Sequence, residues 1–251
     1  MVDIHFLRYK RVISLNPFQI SNYNRYFKYK KIETQLVKKA DLIIAISEKE
    51  KITMSNIINP NKIIVVSNIH YSKIKLEEVI SFKERNDLLF IGSTHTPNID
   101  AVNYLFKEIM PLVWKKNPII KVNIIGNLNE KIKDLNHPNC TFLGYVENIE
   151  PYFLKSKIMI APLRYGAGVK GKIGQAYEYF LPVITTDIGA EGMNLKHNEN
   201  AIIVNTPEAF ANQILNLYDN EILWTKLSKS AASVLENFSK EELTAKLKQF
   251  N

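Results

Sequence analysis

The chain predicts an α/β fold, a doubly wound parallel sheet preceded by an incomplete second α/β unit. Three observations carry this. From Asp87 onward, apolar runs of strand length alternate with helix-length patterns, the signature of parallel strands joined by crossover helices. Two of the strands, Leu88–Gly92 and Lys121–Gly126, end in glycine, on the edge where such sheets bind ligands. The first 70 residues hold about three strands and two helices, too little for a covered parallel sheet.

Met1–His5 reads as a very short strand, followed from Asn22 to Lys39 by a polar, basic helix. Ala40–Ile46 is an apolar strand. Ser47 caps the next helix, and Glu50 three residues on completes a capping box. Lys62–Val66 is a further strand, and residues 67–86 lack a period and read as a linker. After Leu88–Gly92, Pro97 starts a helix that runs to Lys116 and stops at Asn117-Pro118. The strands Lys121–Gly126 and Thr141–Gly144 come next. A short helix over 151–156 precedes the strand Lys157–Ala161. A helix over 169–179, the strands Val183–Thr186 and Ala201–Val204, and an amphipathic helical tail from Pro207 complete the order.

Composition narrows the function classes. With 46% apolar and 23% charged residues the chain is globular. No apolar run reaches the roughly 18 residues of a membrane span, and no signal peptide is recognisable at the start. The expected location is cytoplasmic, with peripheral contact at the inner face of the membrane. A single cysteine, Cys140, excludes an intrachain disulfide and reads as a buried structural thiol. The net charge of +8 is concentrated at the front of the chain, a feature suited to anionic lipid as well as to plain surface drift. No motif supports nucleic acid.

Chemistry is expected in three loops at the strand ends. Gly92–Asn98 offers hydroxyls and amides to phosphate or sugar, or is a turn with Thr96 or Asn98 as a helix cap. Arg164 to Gln175 brings Arg164, Lys170 and Lys172 together with Gly166, Gly168, Gly171 and Gly174. Glycines let backbone approach a ligand, amides at a helix start favour anions, and lysine adds a point charge. The stretch therefore reads as a diphosphate cradle, with a glycine-rich turn and solvated lysines as the plain alternative. Lys170 lies within the turn, while Lys172 is expected to face solvent. In the third loop, Asp187–Met193, Glu191 orients a hydroxyl or a lysine, or serves as a cap or ion pair. Three-glycine dinucleotide and Walker patterns are absent. Neither metal-ligand spacing nor a serine elbow is present, which leaves a dehydrogenase or NTPase the weakest reading.

Gly166–Lys172, Leu181–Thr186 and Ile188–Gly192 together make residues 87–240 resemble the carboxyl-terminal, donor-binding domain of retaining GT-B glycosyltransferases of family 4. Phe142–Val146 and Ala161–Leu163 fit the same pattern. The resemblance implies a GT-B-like arrangement. Residues 1–70 would be a remnant of the acceptor-side domain, 71–86 a linker, 87–235 a Rossmann-like domain for a nucleotide-sugar, and 236–251 a closing helix. It implies transfer of a sugar from an NDP-sugar to a glycan or lipid-linked acceptor with retention, without a further cofactor or metal. Lys170 would face the donor diphosphate, and His5 and Arg8 would approach the donor sugar, with Gly92, Arg164, Gly168, Gln175 and Glu191 as donor contacts. Three positions depart from the pattern. Gln175 stands where the family has the glutamate that binds the ribose hydroxyls, Ala167 where a partner acid falls, and Phe180 where many members have glycine. The front is also short, so the resemblance implies the rear part of a transferase: a truncated product, a degrading gene, or one half of a split enzyme whose amino-terminal half a partner supplies. The alternative is an inactive remnant or a nucleotide-binding module.

Overall fold

The computed structural model describes residues 3–128, 132, 135 and 137–248. Met1, Val2 and 249–251, parts of the expected first strand and closing helix, lie outside the described residues.

The front of the chain is helical. Helices α1 (His5–Leu15) and α2 (Ile20–Lys39) form a hairpin. Strands β1 (Ile43–Ala45) and β2 (Ile63–Val65) flank α3 (Glu48–Ser55) and pair in parallel as a separate two-stranded sheet. No strand forms at residues 3–5, because the amides of His5 and Phe6 donate to the buried Glu33 carboxylate at 3.0 and 3.1 Å. A side chain 28 residues away thus caps α1, and no local signal announces it. The capping box at Ser47 is half formed. Ser47 Oγ accepts from Glu50 N, but the Glu50 carboxylate accepts from Ile4 N and Ile46 N instead. Burial holds the Glu50 carboxyl above the usual range against these two bonds. Ile4, Val37, Ile43, Ala45, Met54 and Ile63 close a small core of their own.

The expected linker has no regular strand or α-helix, yet it is packed. Arg85 is fully buried and donates to the carbonyls of Ile80, Phe153, Ser156 and Tyr179. With no carboxylate in that set, burial lowers its pKa to about 10. His70 is buried on the Glu178 carboxylate, Nδ1 to Oε1 2.9 Å.

The main sheet follows. Strands β3 (Asn86–Ile91), β4 (Val122–Ile125), β5 (Cys140–Gly144), β6 (Ser156–Ala161), β7 (Val183–Thr185) and β8 (Ile202–Ile203) lie in the order β5-β4-β3-β6-β7-β8, all parallel. Alternate residues feed two cores. Leu88, Phe90, Ile158 and Ile160 pack beneath α4 (Thr96–Tyr104), α5 (Met110–Lys116), α9 (Pro207–Asp219) and α10 (Glu221–Lys229). Leu89, Met159, Ala161 and Val183 pack beneath α6 (Glu150–Lys155), α7 (Gly171–Glu178) and α11 (Ala231–Glu236). The single helix expected over 97–116 is interrupted by a π-helical stretch, Leu105–Ile109, just before Pro111. Proline has no amide to give the preceding turn, and a wider turn relieves its ring. The Asp187 loop begins as a one-turn helix, α8 (Asp187–Ala190), capped by Thr186 Oγ1 on Gly189 N. Helix α12 (Lys240–Lys248) ends the described chain, and among the described residues no helix is long and apolar enough to cross a membrane.

Candidate functional site

The strand order reverses between β3 and β6, and the loops leaving these two strands part at their carboxyl ends. Such a switch point is where an open α/β sheet has room for a ligand. A cavity of about 510 Å³ lies there. Its walls come from three sources: Asp3, His5 and Arg8 at the start of the front hairpin, His95, Pro97 and Asn98 at the start of α4 after β3, and Leu163, Gly166, Ala167, Val169, Lys170, Gly171 and Lys172 after β6.

Local chemistry explains the shape. Gly166 and Gly168 take φ of 150° and 70°, values that side-chain-bearing residues avoid, and so turn the chain back toward the start of α7. Lys170 is the N-cap of α7 and offers no side-chain cap. The amides of Gly171 and Lys172, which this turn places at the cavity wall, have no capping side chain, a setting that favours an anion.

Both lysines are desolvated. Lys170 Nζ donates to Gly168 O at 2.6 Å and Ala167 O at 3.2 Å, and burial, offset in part by Glu191, lowers its pKa to about 8. Lys172 turns inward, contrary to the expectation of a solvent-facing side chain. Its Nζ donates to Asn98 Oδ1 at 2.6 Å and lies 4.6 Å from the centre of the Phe90 ring. Burial, reinforced by the charge of Lys170, lowers its pKa to about 7. The sequence offered one signal for this, since Gly171 and Lys172 open the helix at the same turn as Lys170.

Helix α1 closes the other side. His5 Nδ1 donates to Glu33 Oε1 at 2.8 Å, and its ring stacks on Tyr29. Arg8 pairs with Asp3. Arg11 grips Glu191 with both arms, 2.8 and 2.5 Å, and also donates to Gly166 O at 2.6 Å. Asp3 and Arg11 were not named as contacts from sequence, because their place depends on how α1 docks; Arg8 and Lys172, named there, both lie in the wall.

Other expected contacts take different places. The Glu191 carboxylate is held by Arg11, an ion pair that ties α1 to the sheet edge. Arg164 is not in the cavity wall. It makes a two-armed pair with Asp100, 2.9 and 2.5 Å, over the Tyr104 ring, and Asp100 holds its charge. Gly92 also lies behind the wall. A Cβ there would meet Phe90 and Asn98 at 2.8–2.9 Å, and its carbonyl abuts Gly126. Gln175 sits one turn below Gly171 on the same face of α7, half-buried and outside the wall. Asn98 is no helix cap: its amide donates to Ser93 O, and His95 takes the cap position. Burial raises the Cys140 thiol to about 12, as befits a structural group.

Known proteins resemble this chain in sequence or fold. A 196-residue stretch, 73% of this chain, is 29% identical to an uncharacterized 44.6 kDa protein in the cps region of Klebsiella pneumoniae. The chain spans 49% of that relative. Similar solved structures include S. aureus TarM with fondaparinux, alpha-GlcNAc-glycerol and UDP (21% identity, 89% of this chain and 46% of that one, TM-score 0.74). Anabaena HepE with UDP-glucose is 14% identical over 88% of this chain and 68% of that one, TM-score 0.71. Sucrose-phosphate synthase of Thermosynechococcus elongatus is 15% identical over 98% of this chain and 65% of that one, TM-score 0.75. These likenesses show the fold, that of GT-B donor-binding domains. The family model described as glycosyl transferases group 1 matches residues 85–220, more than half of the chain, and the chain belongs to that family.

Proposed function

We propose that this chain carries the donor side of a glycosyltransferase that moves a sugar from an NDP-sugar to a glycan or lipid-linked acceptor with retention at the anomeric carbon. One observation carries the reading. Lys170, Lys172 and the first turn of α7, which no side chain caps, converge on a cavity at the sheet's switch point, with Arg8 opposite and Asp3 the one carboxylate among the described residues of the wall. Desolvated cations and fixed amides suit a leaving diphosphate, whose charge grows as the bond from its oxygen to the anomeric carbon breaks. In that exchange the acceptor oxygen bonds to the anomeric carbon, its proton leaves to a base, and the electron pair of the broken bond stays on the diphosphate. Lys170 would trade the carbonyls of Ala167 and Gly168 for phosphate oxygens, and His5 would meet the sugar from α1. Residues 1–70 would serve as the acceptor-side unit, 71–86 as its connection, 87–235 as the donor domain and 236–251 as its closing helix.

UDP is the first nucleotide to test, since the TarM and HepE structures hold it or UDP-glucose. A second reading, a nucleotide-binding module without turnover, is favoured by Gln175. An amide there gives neutral hydrogen bonds where a carboxylate would give charge-assisted ones. Calorimetric titration with UDP, GDP, ADP and dTDP, beside Lys170→Ala, tests both. Micromolar binding of one nucleotide, weakened at least tenfold in the variant, supports the donor site. Absence of binding by a folded, monodisperse sample refutes it. Sugar release or transfer from the matching NDP-sugar separates a transferase from a module.

A further inference from the structure

We infer that the tip of the α1–α2 hairpin docks the protein on an anionic lipid surface. Charge is the first ground. Residues 1–39 contain nine lysines and arginines against two acids, Asp3 and Glu33, so they carry +7 of the chain's net +8. Both acids are already engaged, Asp3 by Arg8 and Glu33 by the start of α1. Arg25, Lys28, Lys30, Lys31, Lys38 and Lys39 of α2 are all exposed, and none has a carboxylate partner among the described residues.

Apolar exposure at the hairpin tip is the second, with Arg25, Lys28, Lys30 and Lys31 within about three turns of it and Lys38 and Lys39 at the far end of α2. Phe18, in the turn between the helices, is 95% exposed and Ile20 75%. Phe27, two turns along α2 on the same outward line as Ile20, is 63% exposed, and Leu15 ends α1 beside them. A cationic face alone suits any polyanion. Aliphatic and aromatic side chains at its tip add an element that enters the acyl boundary while the lysines meet headgroup phosphates. That combination favours lipid over nucleic acid. The same helix, α1, runs from this tip to His5 and Arg8 in the cavity wall, about 16 Å for its 11 residues. A docked hairpin would hold the cavity mouth near the membrane, within reach of an acceptor anchored there. The docking itself does not depend on the donor-site reading.

Sedimentation of the full chain with large unilamellar vesicles is the test, using phosphatidylcholine alone or with about 30% phosphatidylglycerol. The expected result is binding to the anionic vesicles only, weakened about tenfold or more in 0.5 M salt. Lys28→Glu with Lys31→Glu should lower it at least tenfold. Phe18→Ser with Ile20→Ser should lower it several-fold while leaving the salt dependence in place. These side chains are exposed, and circular dichroism with an unchanged melting curve confirms folding. Equal binding to both vesicle types, or none to either, overturns the inference. So does an affinity untouched by the apolar pair, or a tighter grip on a single-stranded oligonucleotide than on the vesicles.

Discussion

Anion binding in the cavity should draw protons from solution. Lys172 has a pKa of about 7 and Lys170 of about 8, and burial is the main cause of both. At pH 8 the empty site therefore lacks about 0.9 of a proton at Lys172 and about 0.5 at Lys170. A diphosphate placed between them favours both charged forms and refills these positions, with a total uptake of about 1.4 protons. The two lysines interact, so this total belongs to the pair. At pH 6 both are charged already and uptake falls close to zero. The assay is titration of UDP, or of whichever nucleotide binds, in buffers of different ionisation enthalpy. The slope of observed heat against buffer enthalpy gives the proton count. Affinity should drop about tenfold or more from pH 7 to pH 8.5, as an uptake near one proton per pH step requires. Lys172→Met should remove the larger share of the uptake and Lys170→Ala the smaller. Binding at pH 8 with a flat buffer slope would show that the anion does not face these lysines and would remove the ground for the diphosphate cradle. The sign for stability follows from the same shifts. Both folded-state values lie below the ordinary 10.5, so the unfolded chain holds more protons from about pH 7 to 10.5. The cost of burying the charges is present below pH 7 and fades as pH rises through that window. The stability gained by Lys172→Met over the wild type should shrink over the same window.

Further substitutions test the surroundings of the site. Gly126→Ala should unfold the chain or cost about 4 kcal/mol or more, because φ is 118° and the new Cβ would stand 1.7 Å from Gly92 O; a denaturant midpoint near the wild type would refute the packing argument. Phe180→Gly should relieve about 1 kcal/mol of left-handed strain and lose about 3 kcal/mol of buried ring, since Phe180 has φ of 55° and is 3% exposed. A net destabilisation by thermal melting is the expected outcome, and a gain would mean the backbone term dominates. Gln175→Glu should tighten nucleotide binding about tenfold by restoring charge-assisted bonds to ribose hydroxyls; unchanged affinity would place the ribose elsewhere.

The main sheet was legible because its signals are local. Period, glycine ends and turn chemistry each act over a few residues, and the strands from β3 to β8 lie close to where the apolar runs put them. The front was less legible because its determinants are distant. Glu33 caps α1 from 28 positions away, Arg11 reaches Glu191 across 180, and Arg85 settles its donors on carbonyls of three separate elements. In the site, Lys170 and the glycines of its turn were readable from spacing. Lys172 was not, since whether a lysine at a helix start faces solvent or cavity depends on what stands opposite, here Phe90 of β3 and Asn98 of α4. Arg164 follows β6 at the same edge but stands outside the cavity wall, paired with Asp100 of α4.

Phe180 shows how a departure from a sequence pattern can be absorbed by structure. It occupies the left-handed position after α7. Phe180 N donates to Tyr177 O at 3.0 Å and Leu181 N to Ala176 O at 2.9 Å, the paired bonds of a glycine-type helix end. Its ring fills the core beneath β7, and Ser228 Oγ donates to its carbonyl at 2.7 Å. Packing therefore outweighs the backbone cost, and the helix end keeps its geometry with a side chain in place. The same logic operates nearly two turns earlier, at Gly174. The His70 ring, held on Glu178, occupies the space a Cβ would need, 2.2 Å from Nε2. Helix α7 is thus fixed at its far end by residues of the segment that joins the two sheets. An error in its placement would be felt at Lys170 and Lys172, so stability of that segment and anion affinity in the cavity should be coupled properties.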